Sequence, residues 1–263
     1  MKVLDGKELA GFIKERQRHQ VAGLSKKPHL LIIRNSDSPV IAKYVHLKME
    51  YGDDIGTKVS LFDAKDSEEI RSKILEANSD KTIDGMILQL PITDKDKTDE
   101  LTDLIASEKD VDGLSNHSVF DSATATAINW LLAGHSIELN NKKIALVGHG
   151  KLVGAPLEKM FKNSGYDVTV FHRGDDLNVL SNYNVIISAT GVPELIKSEM
   201  VQSGAVVVDA GTASEGGVIV GDIEEAIRER KDLTAITPKT GGVGPLTVTC
   251  LFDHVIQAAI KNQ

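Results

Sequence analysis

The chain has little cysteine, with a single one in 263 residues. One thiol cannot form an internal disulfide, and a chain without disulfides is typical of a reducing compartment. Cys250 lies in an apolar C-terminal segment, where a cysteine is expected to pack rather than react. We therefore expect a cytoplasmic protein.

A basic excess is also missing, because 38 acidic residues outnumber 30 basic ones and leave a net charge of −8. General nucleic-acid binders carry a surplus of Lys and Arg, so we expect no nucleic-acid partner. Charged residues stand at Lys2, Asp5 and Lys7, where a signal peptide needs an apolar core. No apolar run approaches the length of a membrane span, so we expect no membrane partner.

Two kinds of catalytic spacing are absent as well. His46, His117, His135 and His254 are scattered and share no metal-ligand spacing with the acidic residues, so we expect no metal site. No Ser/His/Asp arrangement indicates nucleophilic hydrolysis. What remains is an ordinary globular composition, 41% hydrophobic and 26% charged.

Helical and strand patterns alternate along the chain, which predicts an α/β fold with mostly parallel sheets. Ligands of such sheets lie outside the carboxyl ends of the strands. A stretch rich in small polar residues, from Leu114 to Thr126, marks the expected seam between two domains. The predicted strands cover residues 29–34, 58–62, 83–90, 143–147, 167–171, 185–189, 205–209 and 218–220.

Lys48 stands on a helical face that should be apolar. Ser38 and Pro39 predict the start of this helix, which is expected to end near Gly52. A lysine held against apolar neighbours loses hydration, and its pKa falls towards neutrality. The alternative is that Lys48 extends from the edge of the face into solvent. The face has helical spacing and consists of Ile41, Tyr44, Val45, Lys48 and Met49.

A glycine-rich loop, GHGKLVG at residues 148–154, follows the predicted strand 143–147. Glycines there let the backbone approach a pyrophosphate at the N-terminus of the next helix. The alternative is a plain tight turn. The next strand ends at His172 and Arg173 rather than at an acid, which favours the 2′-phosphate of NADP over NAD. Arg173 could equally be a solvated surface residue.

Polar residues also follow other predicted strands. Gln89 ends an apolar strand and must find hydrogen-bond partners, either a ligand with amide-like edges or a neighbouring loop. Asp112 is followed by glycine, which is typical of a turn, but it could also hold the N–H groups of a ligand. The run GGVGP at residues 241–245 contacts a ligand or turns the chain between domains.

Together these residues form ordered motifs that resemble the bifunctional methylenetetrahydrofolate dehydrogenase/cyclohydrolase family over nearly the whole chain. The motifs are DGK at 5–7, YVxxK at 44–48, DGxxxQLP at 84–91, KDVDG at 109–113, VGxxxxVGxP at 147–156, VGD at 220–222 and GGVGPxT at 241–247.

The resemblance implies two domains and a homodimer. Residues 1–120 and 246–263 would form an α/β folate-binding catalytic domain, to which the C-terminal helix returns. Residues 121–245 would form a Rossmann-type parallel-sheet domain that binds NADP and mediates dimerisation. The folate derivative would lie in the cleft between the domains.

Two reactions are implied by the resemblance. NADP would take hydride from 5,10-methylenetetrahydrofolate to give the methenyl cation, and water would then open the ring to 10-formyltetrahydrofolate. Lys48 would be the central catalytic group, oriented by Tyr44 and hydrogen-bonded by Gln89. Asp112 would bind the pterin, with Tyr44, Gly242 and Pro245 completing the substrate site. The implied cofactor-binding residues are Gly148, His149, Gly150, Gly154, His172, Arg173, Gly211 and Thr212.

The sequence departs from the family pattern around the cofactor and the rim of the cleft. Relatives have serine at the position of Ile41, a Pro-Cys-Thr-Pro run at residues 122–125, and serine at Gly150. The turns at residues 211–213 and 238–240 also differ. Three alternatives therefore stay open, namely a member that keeps mainly the cyclohydrolase activity, a non-catalytic folate- or nucleotide-binding paralogue, and a preference for NAD.

Overall fold

The protein divides into two compact units in a computed structural model that describes residues 1–36, 38–211, 213–215 and 218–262. The six-stranded unit consists of Met1–Ala10 and Thr124–Thr247, and the three-stranded unit of Gly11–Ala123 and Val248–Gln263.

Helices and strands alternate through most of the chain. The helices in the described residues are α1 (Gly6–Ala22), α2 (Pro39–Ile55), α3 (Ser67–Ser79), α4 (Thr98–Thr102), α5 (Ala123–Gly134), α6 (Gly154–Asn163), α7 (Glu225–Glu229) and α8 (Val243–Lys261). The strands are β1 (Lys2–Val3), β2 (His29–Arg34), β3 (Lys58–Asp63), β4 (Gly85–Leu88), β5 (Lys143–Val147), β6 (Asp167–Phe171), β7 (Val185–Ser188), β8 (Val206–Asp209), β9 (Ala213–Glu215), β10 (Val218–Val220) and β11 (Ala235–Ile236).

The three-stranded unit is built on a parallel sheet in the order β3-β2-β4. Its central strand, β2, is an apolar run whose first five residues are all buried, as expected of a parallel strand covered on both faces. The chain leaves β2 to form β3 on one side and later returns to form β4 on the other. Because successive strands are added on opposite sides of β2, their connections diverge and leave a crevice at the carboxyl ends of β2 and β4. Open α/β sheets bind ligands at such a position.

The six-stranded unit repeats this arrangement in a larger sheet, in the order β1-β11-β8-β7-β5-β6. All strand pairs within this six-stranded sheet are parallel, and β9 and β10 form a separate antiparallel pair in the same unit. Here the chain passes from β5 to β6 on one side and then to β7 on the other. A second crevice therefore lies at the carboxyl ends of β5 and β7.

The predicted α/β class, with a Rossmann-type second domain and a returning C-terminal helix, is confirmed. The compact units differ from the expected division at one end, because Met1–Ala10 groups with the six-stranded unit. Lys2 and Val3 pair with Ala235 and Ile236 as an edge of that sheet. Strands of two residues have no detectable periodicity, so neither β1 nor β11 was predicted.

Helix α2 begins where the sequence predicts. The Ser38 hydroxyl accepts from the Ile41 backbone N–H at 3.4 Å, and Pro39 occupies the first turn. The helix does not end near Gly52, as expected, but continues to Ile55 and is capped by Gly56 in the left-handed conformation (φ 81°). Gly52 is instead a packing position, since a Cβ there would lie 2.3 Å from Val59 Cγ2.

Helix α8 is 19 residues long, with a mean hydropathy of 1.4. By length and composition alone it could cross a bilayer, so the expectation that no segment reaches this length is wrong. However, 67% of the apolar stretch is buried inside the protein, as in the core helix of a globular fold. Cys250 is among its buried residues, and burial raises the pKa of its thiol.

Helix α3 offers a test of how much core packing stabilises the three-stranded unit. Ile74 is fully buried among core residues, whereas the adjacent Leu75 is 51% exposed. Ile74→Ala should lower the free energy of unfolding by about 2–5 kcal/mol, because it removes buried methylenes and leaves a cavity. The measurement is urea denaturation followed by circular dichroism.

Leu75→Ala is the matched control and should change the free energy of unfolding by no more than about 0.5 kcal/mol. Equal losses for the two variants would contradict the packing assigned to α3.

Candidate functional site

Lys48 and Gln89 meet at the carboxyl-end crevice of the three-stranded sheet. Lys48 Nζ donates a hydrogen bond to Gln89 Oε1 at 2.6 Å. The Gln89 backbone N–H donates to the Ile33 carbonyl at 2.8 Å, and Gln89 Nε2 donates to the Leu90 carbonyl at 3.1 Å. These contacts fix the amide with its oxygen towards the lysine, which supplies only donors when charged.

Asp112 reaches the same edge through a short extension of the sheet. The Met86 backbone N–H donates to the Lys109 carbonyl at 2.8 Å, and Met86 bridges to Asp110 in parallel. The segment 109–111 thus runs beside β4, and Asp112 follows at its carboxyl end. Gly85 permits this approach, since a Cβ on it would lie 2.5 Å from Val111 Cγ1.

The other charged residues of the KDVDG motif are structural. Lys109 Nζ donates to the carbonyls of Ala77, Asn78 and Asp80 at 2.7, 3.0 and 2.8 Å, which caps the C-terminal end of α3. It is only 7% exposed, and burial lowers its pKa. The charged residues of the KDVDG motif therefore have different roles, although the sequence alone does not distinguish them.

Asp110 holds the turn that follows. Its carboxylate accepts from the backbone N–H groups of Gly113 at 3.1 Å and of Ser115 at 2.8 Å. Gly113 has φ +69°, and a Cβ there would lie 2.3 Å from the Asp121 carbonyl oxygen. The carboxylate of Asp112, by contrast, accepts no hydrogen bond from any residue that the structure describes, and only the Asp112 backbone carbonyl accepts one, from the Ala123 N–H at 3.0 Å.

Burial opposes charge on both Lys48 and Asp112. It lowers the pKa of Lys48, and the nearby Asp112 carboxylate only partly offsets this effect. It raises the pKa of Asp112 to about 6, although Lys48 acts in the opposite direction. Burial therefore moves the pKa of each group towards the neutral pH range. Efficient proton transfer requires a group whose pKa lies near the working pH.

Tyr44, Gly242 and Pro245 occupy different parts of the structure. Tyr44 lies one turn before Lys48 on α2 and is half-buried. Gly242 and Pro245 belong to the six-stranded unit, at the start of α8. Gly242 packs against the beginning of α1, since a Cβ on Gly6 would lie 1.9 Å from its carbonyl oxygen.

A pocket of about 240 Å³ lies at the carboxyl-end crevice of the six-stranded sheet. It is lined by residues 150–153 after β5, 189–191 after β7 and 210–211 after β8. The N-terminus of α6 follows the first of these loops, so the positive end of the helix dipole favours an anion there.

Each glycine of the loop after β5 is required, or tolerated, for a different physical reason. Gly148 has φ +98°, and a Cβ there would lie 2.6 Å from the Ala189 carbonyl oxygen. A Cβ on Gly154 would lie 2.1 Å from the Gly148 carbonyl oxygen. Gly150 instead faces open space and lines the pocket. Close backbone turns with one open position fit a phosphate-binding loop.

His149 and His172 stand together beside this loop. Their rings are 5.3 Å apart in an edge-on arrangement, and His149 Nε2 lies 2.6 Å from Glu158 Oε2. Arg173 is exposed next to them. Gly211 lines the pocket, whereas Thr212 lies outside the described residues.

The residues 189–191 were not predicted to contribute to the pocket. Their signal in the sequence is only that Ala189, Thr190 and Gly191 follow the buried strand predicted over 185–189. Carboxyl ends of parallel strands are where loop residues meet ligands, so this position alone would have justified their inclusion.

Family models match both parts of the chain. Residues 4–112 match the tetrahydrofolate dehydrogenase/cyclohydrolase catalytic domain, and residues 122–263 match the NAD(P)-binding domain of the same family. Similar sequences include the bifunctional protein FolD of Hydrogenobaculum sp. (strain Y04AAS1), 35% identical over 98% of both chains. The bifunctional protein FolD of Aquifex aeolicus is 34% identical over 97% of this chain and 94% of its own.

Solved structures agree with the sequence matches. The bifunctional FolD methylenetetrahydrofolate dehydrogenase/cyclohydrolase of Campylobacter jejuni superposes with a TM-score of 0.93, at 31% identity and 100% coverage of both chains. The Trypanosoma brucei enzyme, complexed with NADP cofactor and an inhibitor, gives a TM-score of 0.91 at 25% identity. It covers 98% of this chain and 97% of its own.

The electrostatics of the crevice predict how Lys48 responds to its neighbour. Asp112→Asn keeps the shape but removes the carboxylate that raises the pKa of Lys48, so this pKa should fall further below its ordinary value. The measurement is an NMR titration of the lysine amine. Asp53→Asn, on an exposed position of the same helix, is the control and should leave Lys48 unchanged. A Lys48 pKa that stays constant or rises in Asp112→Asn would refute the coupling.

Proposed function

Because this chain belongs to the tetrahydrofolate dehydrogenase/cyclohydrolase family, we propose that it oxidises 5,10-methylenetetrahydrofolate with NADP and hydrolyses the 5,10-methenyl product to 10-formyltetrahydrofolate. The observation that carries this function is the half-buried Lys48–Gln89 hydrogen bond beside Asp112, in a chain that also contains a dinucleotide-type glycine loop.

Lys48 is the catalytic group in this proposal. Its lowered pKa supports proton exchange when water adds to the methenyl carbon and when the ring opens. Gln89 holds the amine through its fixed oxygen and limits the positions that Lys48 adopts. Tyr44, one turn away on α2, orients Lys48 or the folate ring.

Asp112 is the substrate-binding group of the same crevice. Its carboxylate is not used by any hydrogen bond among the described residues, in contrast to that of Asp110. It therefore has both oxygens available for the amino and ring N–H groups of a pterin. Gly242 and Pro245, at the start of α8, are proposed to complete the substrate site.

The pocket of the six-stranded unit is proposed to hold NADP. The loop from Gly148 to Gly154, of which Gly150 lines the pocket, would receive the pyrophosphate at the N-terminus of α6. Gly211, which also lines the pocket, and the following Thr212 would border the nicotinamide half. Bound NADP accepts a hydride, so the task of these residues is to bind and orient it.

In this proposal, residues at the C-terminal end of β6 determine the specificity for NADP. His149, His172 and Arg173 lie next to the glycine loop. The first acid after β6, Asp175, accepts from the His172 backbone N–H at 2.7 Å, so one of its oxygens is already bonded within this turn. The guanidinium of Arg173 is suited to the 2′-phosphate because it offers paired donors in a plane.

We further propose a cytoplasmic homodimer built through the dinucleotide-binding domain, and a catalytic domain formed by residues 1–120 and 246–263 with residues 121–245 binding the cofactor. A single buried cysteine supports a reducing compartment. The resemblance to the family supports the dimer and the division of labour.

The decisive assay measures NADP reduction with methylenetetrahydrofolate beside methenyltetrahydrofolate hydrolysis in one preparation. The unaltered protein should show both activities, and Lys48→Met should lower hydrolysis by about 10²–10⁴-fold, the usual contribution of general acid–base catalysis. Lys43→Met, exposed on the same helix, should leave both rates unchanged.

Hydrolysis without NADP reduction in the unaltered protein would indicate a cyclohydrolase alone, and the absence of both activities would favour a non-catalytic paralogue. Unchanged rates in Lys48→Met would remove Lys48 from the mechanism.

Arg173 is tested by comparing the two cofactors. Arg173→Gln should raise the KM for NADP by about tenfold to a hundredfold, the range expected when a charged hydrogen bond is lost, and should leave the KM for NAD nearly constant. Steady-state dehydrogenase kinetics provide the measurement, with Arg18→Gln as an exposed control. Equal changes for both cofactors, or none, would exclude contact with the 2′-phosphate.

A further inference from the structure

The VGD motif at residues 220–222 has no role in the function proposed above. Its aspartate, Asp222, is fully buried and lies against Asp209 at the end of β8. Two adjacent buried carboxylates are unfavourable because each loses hydration and repels the other. Their arrangement therefore requires a compensating interaction.

The two aspartates interlock with two glycines. A Cβ on Gly211 would lie 1.9 Å from Asp222 Oδ1, and a Cβ on Gly221 would lie 2.0 Å from Asp209 Oδ2. Each carboxylate thus packs against the glycine of the other segment. Asp209 Oδ1 also accepts from the backbone N–H groups of Gly211 at 3.2 Å and of Asp222 at 3.1 Å.

Asp222 extends this arrangement to a second loop. Its Oδ2 accepts from the Ser188 hydroxyl at 2.7 Å and from the Thr190 backbone N–H at 2.6 Å. One carboxylate therefore binds the chain directly after β7 and packs against Gly211 after β8. The residues that line the pocket on these two sides are 189–191 and 210–211.

Arg228 provides the compensating charge. It donates to Asp209 Oδ2 at 2.8 Å, and both side chains are largely buried. Burial raises the pKa of Asp209, while the N–H of Asp222 and the guanidinium of Arg228 act in the opposite direction. The carboxylate pair is thus held by backbone N–H groups, a hydroxyl and one cation rather than exposed to solvent.

We propose that Asp222 is a positioning residue for the dinucleotide, because it sets the distance between the loops after β7 and β8. This inference rests on the proposed NADP site. Asp222 does not line the pocket itself, so its effect on binding would be transmitted through Thr190 and Gly211.

The test compares Asp222→Ala with Asp222→Asn by calorimetric titration with NADP. The alanine variant should bind NADP about tenfold to a hundredfold more weakly, the range for losing one or two hydrogen bonds to a charged group. The asparagine variant should recover most of the affinity, since its amide oxygen can accept from both Ser188 and Thr190. Asp232→Ala, in an exposed ion pair of the same unit, is the matched control.

Methenyltetrahydrofolate hydrolysis, which consumes no dinucleotide, separates positioning from general damage. In Asp222→Ala it should fall far less than the affinity for NADP. Equal losses of both, or unchanged affinity in Asp222→Ala, would overturn the inference. If Asp222→Ala does not fold, Ser188→Ala provides the test, and its affinity for NADP should fall by about threefold to tenfold. Unchanged NADP affinity in Ser188→Ala would overturn the inference. Failure of the unaltered protein to bind NADP would instead count against the proposed function.

Discussion

The chemistry of the three-stranded unit depends on a Lys48 amine that is partly removed from water and makes no direct ion pair with a carboxylate. A contact with a carboxylate would restore the charge and the high pKa of a surface lysine. Instead, Lys48 Nζ donates to the neutral amide oxygen of Gln89, and Asp112 acts on it electrostatically from farther away. Burial then remains the largest influence on the pKa of both groups. The secondary structure establishes this balance, because helix α2, the end of β4 and the segment 109–111 beside β4 each position one of the three side chains.

Both units use the same topological device to create a site. In each sheet one central strand has its successors on opposite sides, so the loops at its carboxyl end diverge and leave a crevice. The two crevices differ in what fills them. Titratable side chains occupy the one in the three-stranded unit, whereas mostly small loop residues, together with Lys151, Leu152 and Val153, line the one in the six-stranded unit. Proton chemistry and anion binding are thus built on one architecture by different residue choices.

Periodicity predicts the sheets well, because a buried parallel strand is an uninterrupted apolar run. Four predicted strands, 29–34, 143–147, 167–171 and 218–220, match β2, β5, β6 and β10 in both bounds. The start of α3 is also fixed by contacts within three residues, since the Asp66 carboxylate accepts from the backbone N–H groups of Glu68 and Glu69. Local signals succeed where the responsible contacts lie within a few residues.

Long-range contacts set the limit of such prediction. The partners of Lys109 are carbonyls about thirty residues earlier, at Ala77, Asn78 and Asp80, and nothing in the KDVDG motif identifies them. The coupling of Asp112 to Lys48 and the contact of Asp222 with Thr190 depend equally on how the sheets are ordered. A sequence motif marks such residues as unusual but does not separate structural from functional roles.

The hydrogen bonds of the buried aspartates distinguish structural from functional roles. The carboxylate of Asp84 accepts from the His29 backbone N–H at 2.9 Å, and that of Asp110 accepts from two backbone N–H groups. Asp222 likewise binds Ser188 and Thr190 through one oxygen. Such bonds stabilise the ionised form and commit the side chain to the fold. The carboxylate of Asp112 has no such bond among the described residues, and burial raises its pKa. A half-buried carboxylate that the fold leaves without donors is costly unless a ligand supplies them, which is the physical reason to assign substrate binding to Asp112 rather than to its neighbours.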